Sequence, residues 1–260
     1  MKRGICKLCL NEDDLQDSHF HGKALYRLSR ADGQDPILLS PNLITQDQKQ
    51  IKDYLLCRSC EQRFSKMGEE YTMGMVDRSK DGFKMMDLIR ANHWNRRTAG
   101  EYTMYSGASI GIDTDKLAYY ALSIIWRGTH VWPTYRDRAA GGLKVGDHEE
   151  KIRRYLVGTN PYPPNVVVKV SASCGSDSEY AITFPRPNPE QTDASAFTFT
   201  TRGIWFDVIV GDPLPAYTYD HCCISSPEKP IFVGDFERFV LDEIAESRKT
   251  ARVGKILQPA

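Results

Sequence analysis

The chain has 260 residues, with 34 lysines and arginines against 34 aspartates and glutamates, so its formal net charge is zero. That balance excludes the globally cationic surface that holds nucleic acid without regard to sequence, and no stretch reaches the roughly 18 apolar residues a membrane helix requires. A chain this long buries roughly 70–75% of its unfolded surface, so a core does not depend on disulfides or metal.

The N-terminal MKRGICKLCLNEDDL has no apolar run of signal-peptide length, which sets a cytoplasmic, reducing location as the expectation. In that compartment the 7 cysteines read as thiols or metal ligands before disulfides. Residues 1–75 are rich in cysteine, histidine and charge, and are expected to form a small loop-rich module. Residues 76–260 are expected to form an α+β body.

Within the first segment, Cys6 and Cys9 form one Cys-x-x-Cys pair and Cys57 and Cys60 a second. Zinc takes about four soft donors at tetrahedral corners, and each such turn supplies two thiolates. The spacing therefore predicts one structural, four-thiolate zinc site; the rival reading of either pair is a redox dithiol. Four thiolates leave no vacant position for water, so this zinc would be structural and any chemistry would come from its neighbours. Beyond the second pair, Phe64, Met67, Tyr71 and Met75 recur at spacings of three and four and predict one face of a helix.

Further along, DTDKLAYYALSIIWRGTHVW predicts a buried helix, capped among Asp113, Thr114 and Asp115 and ending near Gly128. GDHEEKIRRYLVG, with acids first, bases later and Gly158 as its stop, predicts a second. NVVVKVSAS, EYAITF, AFTFTT and IWFDVIVG are β-branched and aromatic runs, with a hairpin turn expected at TTRGIW. PIFVG then leads into an expected closing helix over DFERFVLDEIAESRKTARVG. The sum is an α+β chain: a small zinc module, a helical segment, and a mostly antiparallel sheet with flanking helices.

Cys174, Cys222 and Cys223 read as buried strand cysteines, since free cysteine is most often interior. Three basic clusters, Asn95 to Arg97, Lys151 to Arg154 and Ser247 to Arg252, read first as solvated helix faces or helix ends. Beside the first, Trp94 and Arg96 offer stacking and phosphate contact as the functional alternative.

The order of Cys-x-x-Cys, a histidine in DSHFHGKALY, an Asn-Leu, and LLCRSCEQRFS opening a helix resembles the HNH nuclease module built on a treble-clef zinc knuckle. The likeness covers residues 6 to about 75. SHF, LLCRSCEQRFS and the later Trp126-Arg127 are also similar to a group of bacterial HNH-like proteins of mobile or defence settings. The resemblance implies a nuclease cleaving DNA or RNA, with His19 as general base, Asn42 as the middle asparagine and Glu61 as a helix-borne metal ligand. It also implies a second ion, Mg²⁺ or Mn²⁺ by its oxygen donors, held among Asp17, Glu61 and Glu69. Ser18 stands where the module has an acid, Glu61 where it has a helix histidine, and no proline follows the histidine. His21 reads as a solvent-facing neighbour. The alternative is a zinc-stabilised scaffold without catalysis, binding nucleic acid, a protein partner or a second copy of itself.

Overall fold

The computed structural model describes residues 2–28, 37–39, 43–46, 50–79, 82–92, 96–99, 102–132, 142–173, 182–188, 195–235, 249 and 252–253. Strand β1 (Lys2–Ile5) turns through the first cysteine pair into β2 (Glu12–His19). Helix α1 (Lys23–Leu28) and the short strands β3 (Ile37–Leu39) and β4 (Leu43–Gln46) precede β5 (Lys52–Cys57), which pairs antiparallel with β2. The result is a three-stranded sheet in the order β1-β2-β5.

From β5 the chain enters one continuous helical rod: α2 (Arg58–Phe64), a π-helical turn (Ser65–Glu69) and α3 (Glu70–Met75). The π-turn adds one residue, and with it a phase shift of about 100° relative to an unbroken α-helix. The buried positions become Cys60, Phe64, Gly68, Thr72 and Met75. Met67, expected on the apolar face, is exposed. A period of 3.6 cannot anticipate an inserted residue, so the face read from the sequence was correct up to Phe64 and misplaced at the next turn.

A small hairpin follows, β6 (Arg78–Ser79) and β7 (Gly82–Phe83), then α4 (Lys84–Ala91), β8 (Arg96–Ala99) and β9 (Tyr102–Ser106). Helix α5 (Thr114–Thr129) begins where Asp113 accepts from the Lys116 amide at 3.2 Å. It is buried on nearly every side, which suits a segment apolar all round and places it at the centre of the fold. The amphipathic α6 (His148–Val157) ends at Gly158 in the left-handed region, φ 83°, as its sequence predicts.

The rest is mainly sheet: β10 (Val166–Ser173), β11 (Arg186–Pro187), β12 (Ser195–Thr201), β13 (Ile204–Val210), the short α7 (Ala216–Tyr219), β14 (Pro230–Gly234) and β15 (Arg252–Val253). Seven strands run in the order β11-β12-β13-β10-β14-β9-β8. Neighbours are antiparallel except β10 and β14, which are parallel. The β12–β13 hairpin turns at Arg202 (φ 42°) and Gly203 (φ 79°), where TTRGIW predicts it. EYAITF forms less than expected: among its described residues Ile182 makes only an isolated bridge to Thr201. The expected closing helix lies mostly outside the described residues, as does Cys174.

One contiguous core runs from Cys6 and Leu8 through Phe64 and Trp126 to Ile231. Phe20 meets Trp132 and Phe184 edge-on at 5.4 and 4.9 Å respectively in T-shaped contacts. Phe64 sits edge-on to Tyr119 and Trp126 of α5. The cysteine-bearing segment is thus keyed by aromatic contacts into the central helix. No helix of the described residues is long and apolar enough to cross a membrane.

Candidate metal centre and the adjoining acidic face

Both cysteine pairs occupy positions that strand and helix geometry dictate. Cys6 and Cys9 lie in the β1–β2 turn, closed by Leu10 N–H donating to Cys6 C=O and Cys6 N–H donating to Asn11 C=O, each at 2.9 Å. Leu10 takes φ 65° to complete that turn. Cys57 is the extended residue before α2 and Cys60 sits in its first turn, so both thiols face the positive end of a helix. A Lys7 N–H to Leu55 C=O bond of 3.1 Å joins the two turns.

All four Sγ atoms lie within 4.8 Å of one another, and Cys9 and Cys57 are 3.9 Å apart. Sulfurs at tetrahedral corners about 2.3 Å from zinc would be about 3.8 Å apart. The donor set and its spacing therefore fit a metal ion, and the four cysteines lie close enough to bind one. Confined together, the thiols split in behaviour. A hydrogen bond from Cys60 pulls Cys6 down to about 4, while the same contact pushes Cys60 up. Arg153 of α6 donates to the Leu8 carbonyl and so ties the first turn to the body.

A second polar group surrounds the start of the helical rod. In an unbroken α-helix, residues eight apart differ by about 80°; the extra residue of a π-turn reduces this to about 20°. Glu61 and Glu69 are thereby brought to one face of the rod. Opposite them stands Arg127 of α5, whose Nη1 lies 2.6 Å from Glu69 Oε1 with side-chain exposures of 1% and 14%. That contact is close but poorly directed, since neither atom completes a hydrogen bond. The Arg127 guanidinium lies over the Phe64 ring at 4.7 Å. Burial opposes its charge, but Glu69 and Glu61 more than offset this and hold its pKa above the usual arginine range.

Glu61 is pushed up by burial, against the opposing pull of Arg127 and of a hydrogen bond from Ser18. Ser18, buried on β2, also accepts from the Leu56 amide at 3.1 Å. Ser18 is thus aimed at the helix carboxylate. A methyl at Gly22 would lie 4.0 Å from Glu69 Oε2, so the loop after β2 runs beside the second acid.

His19 closes β2, half-buried and opposite Lys52. Burial lowers its pKa; Asp17 and a hydrogen bond with Gln50 oppose this, and Lys52 and Arg127 reinforce it. A neutral imidazole at neutral pH is the state a general base requires. Asp17 is an exposed partner of Lys52. Asn42 lies outside the described residues. Among the described residues, the cysteines are the one group of three or more ligating side chains this compact.

His21 is a correction: it is fully buried, not solvent-facing. Its ring sits between Phe20 at 5.1 Å and Phe184 at 5.4 Å, and its contact with the Thr183 backbone falls short of a well-formed hydrogen bond. Burial, reinforced by Arg127, pushes its pKa down to about 3. The unfolded histidine takes a proton near 6.5, so the stability His21 contributes is complete above that pH. It is lost as pH falls from 6.5 toward about 3. A loss on the order of 5 kcal/mol across that window follows from about 1.4 kcal/mol per unit. His21→Phe should flatten the dependence of the urea midpoint on pH between 6.5 and 4. An unchanged slope would refute the assignment.

Sequence reasoning gave no role to His21 or Arg127. The signal for Arg127 was present, as it is the one charged residue between Leu117 and Thr129 of an otherwise apolar helix. Elsewhere, Cys222 and Cys223 are buried, but in the loop between α7 and β14 and not in a strand. The Lys151–Arg154 cluster is paired internally, to Asp212 and Glu150. Trp94 and Asn95, and most of Ser247–Arg252, lie outside the described residues. Compared with family models, with curated proteins and with solved structures, the chain finds no match.

Proposed function

We propose that the protein is an HNH-like, metal-dependent phosphodiesterase acting on DNA or RNA, built on a treble-clef module whose four cysteines hold a structural zinc. The observation that supports this reading is that Glu61 and Glu69 both act on the Arg127 guanidinium, which also acts on the His19 ring, while Glu61 directly follows the cluster cysteine Cys60. Mg²⁺ and Mn²⁺ bind through one or two carboxylates plus substrate phosphate oxygens, so two glutamates meet the protein's share without a complete cage. Such an ion, when bound, stabilises charge on the phosphate. His19, neutral and half-exposed, takes the proton from the attacking water. Ser18 and Arg127 hold the carboxylates, and a zinc ion held by Cys6, Cys9, Cys57 and Cys60 would tie the β1–β2 turn to the start of α2.

The test is cleavage of supercoiled plasmid and single-stranded RNA with added Mg²⁺ or Mn²⁺. Wild type should cut at least one substrate in an ion-dependent manner, and His19→Ala should lose about 10²-fold or more with unchanged zinc content. One observation favours a different reading, a zinc-stabilised binding scaffold. Asp17 is engaged by Lys52, and the acids are covered, with Glu61 Oε1 buried. That reading prevails if wild type and His19→Ala leave every substrate intact.

A further inference from the structure

Arg127 is an expensive residue to keep where it stands. A guanidinium 1% exposed has given up its hydration, and its partner Glu69 is also largely covered. Buried ion pairs are often matched or bettered in stability by apolar side chains of similar volume. Phe64 beneath the guanidinium, and the apolar residues of α5 around it, would accommodate such a chain. Arg127 Nε completes no hydrogen bond, and Nη1 meets Glu69 as a close ion pair at 2.6 Å. Its neighbours, Glu69, Glu61 and His21, are the ionisable groups of the acidic face.

The backbone shows how this geometry is set. The π-turn rotates Glu69 to the side of the rod that carries Glu61, and α5 crosses the rod so closely that a methyl on Gly68 would lie 2.7 Å from the Tyr120 amide nitrogen. Arg127 follows Tyr120 by two turns on the same helix, so the crossing at Gly68 fixes where its guanidinium meets Glu69.

We propose that Arg127 is a positioning residue: its guanidinium holds the Glu69 carboxylate in the orientation that lets Glu69 and Glu61 share one divalent cation. This rests on the reading of those two glutamates as the divalent-ion site. Arg127 touches neither substrate nor ion and acts through Glu69.

The experiment is a Mn²⁺ titration followed by electron paramagnetic resonance on the zinc-loaded full chain. It compares wild type, Arg127→Lys, Glu69→Gln and the double variant, with zinc content and melting as controls. Lysine keeps the charge but loses the planar group that lies over Phe64 and sets Nη1 against Glu69, so Arg127→Lys should weaken Mn²⁺ binding about tenfold. In the Glu69→Gln background the same substitution should change affinity by less than about twofold, because the residue it acts through is gone. A purely structural role would give the same weakening in both backgrounds. That result overturns the proposal, as does wild-type affinity in Arg127→Lys. If wild type takes no Mn²⁺ at millimolar concentration, the two-glutamate site itself is wrong and the proposal falls with it. Should Arg127→Lys lose its zinc or its cooperative melting, Arg127→Gln repeats the comparison. Failure of both to fold makes Arg127 a structural residue and refutes the proposal.

Discussion

Replacing Cys57 and Cys60 together by alanine is expected to release the metal and to unfold the segment that β1, β2, β5 and α2 compose. Binding of structural zinc is coupled to folding by roughly 10–16 kcal/mol in isolated zinc modules, far more than the total stability of a typical domain. The damage should not stay local. Phe20 is held by Trp132 and Phe184, and Phe64 by Tyr119 and Trp126, so loss of the cysteine-bearing segment opens the central helix to water. The measurement is metal content with thermal melting followed by tryptophan fluorescence. The doubly substituted chain should lose about one equivalent of zinc and its cooperative transition, and strong chelation of wild type should reproduce both. A wild type purified without metal that melts cooperatively would refute a structural role for the ion.

The second large effect concerns Gly68. A methyl there would lie 2.7 Å from Tyr120 N and 3.0 Å from both Lys116 O and Tyr120 Cα, and these are backbone atoms that cannot rotate away. Gly68→Ala should therefore force α5 off the rod, at a cost of about 3 kcal/mol, the upper end of the range for overpacking. For a chain of this size that corresponds to a fall in Tm of about 6–12 °C. Gly74 supplies the control from the same rod, since nothing lies within 4 Å of a methyl placed there. Gly74→Ala should stabilise by about 0.5–1 kcal/mol through helix propensity. Equal melting of the two variants would show that α5 does not approach Gly68 as described. The Gly68→Ala chain should also bind Mn²⁺ more weakly, because a displaced α5 carries Arg127 away from Glu69.

These two glycines show what the sequence could and could not reveal. Local rules suffice where a residue's role is set by its neighbours in the chain. The Cys-x-x-Cys turns, the Asp113 cap, the Gly158 stop and the Arg202-Gly203 hairpin turn all form where those rules place them. The rules fail where the decisive partner is distant. Nothing local in SKMGEE announces a π-turn; the rod adopts one where Gly68 meets Tyr120, 52 positions away in sequence numbering. Met67 was accordingly assigned to the core and stands in solvent.

The acidic face was partly legible for the same reason. Glu61 could be named from a motif, and Glu69 as a nearby carboxylate further along the same predicted helix. Asp17 was named with them on proximity in sequence, but strand pairing sets it opposite Tyr54 and beside Lys52, and it becomes the partner of that lysine. His21 and Arg127 depend on contacts between β2, the rod and α5 that no single segment encodes. A buried histidine and a solvent-facing one look alike in HFHGK. The aromatic walls supplied by Phe20 and Phe184 decide between them.

The divalent-ion site is the claim on which the proposed nuclease activity depends, and a crystal soaked in Mn²⁺ tests it most directly. Anomalous diffraction collected at the zinc and manganese edges should give two separate peaks. The zinc peak should lie among Cys6, Cys9, Cys57 and Cys60, and the manganese peak between the carboxylates of Glu61 and Glu69, on the side facing His19. A single peak among the cysteines, or manganese held only at the exposed Asp17, would contradict it.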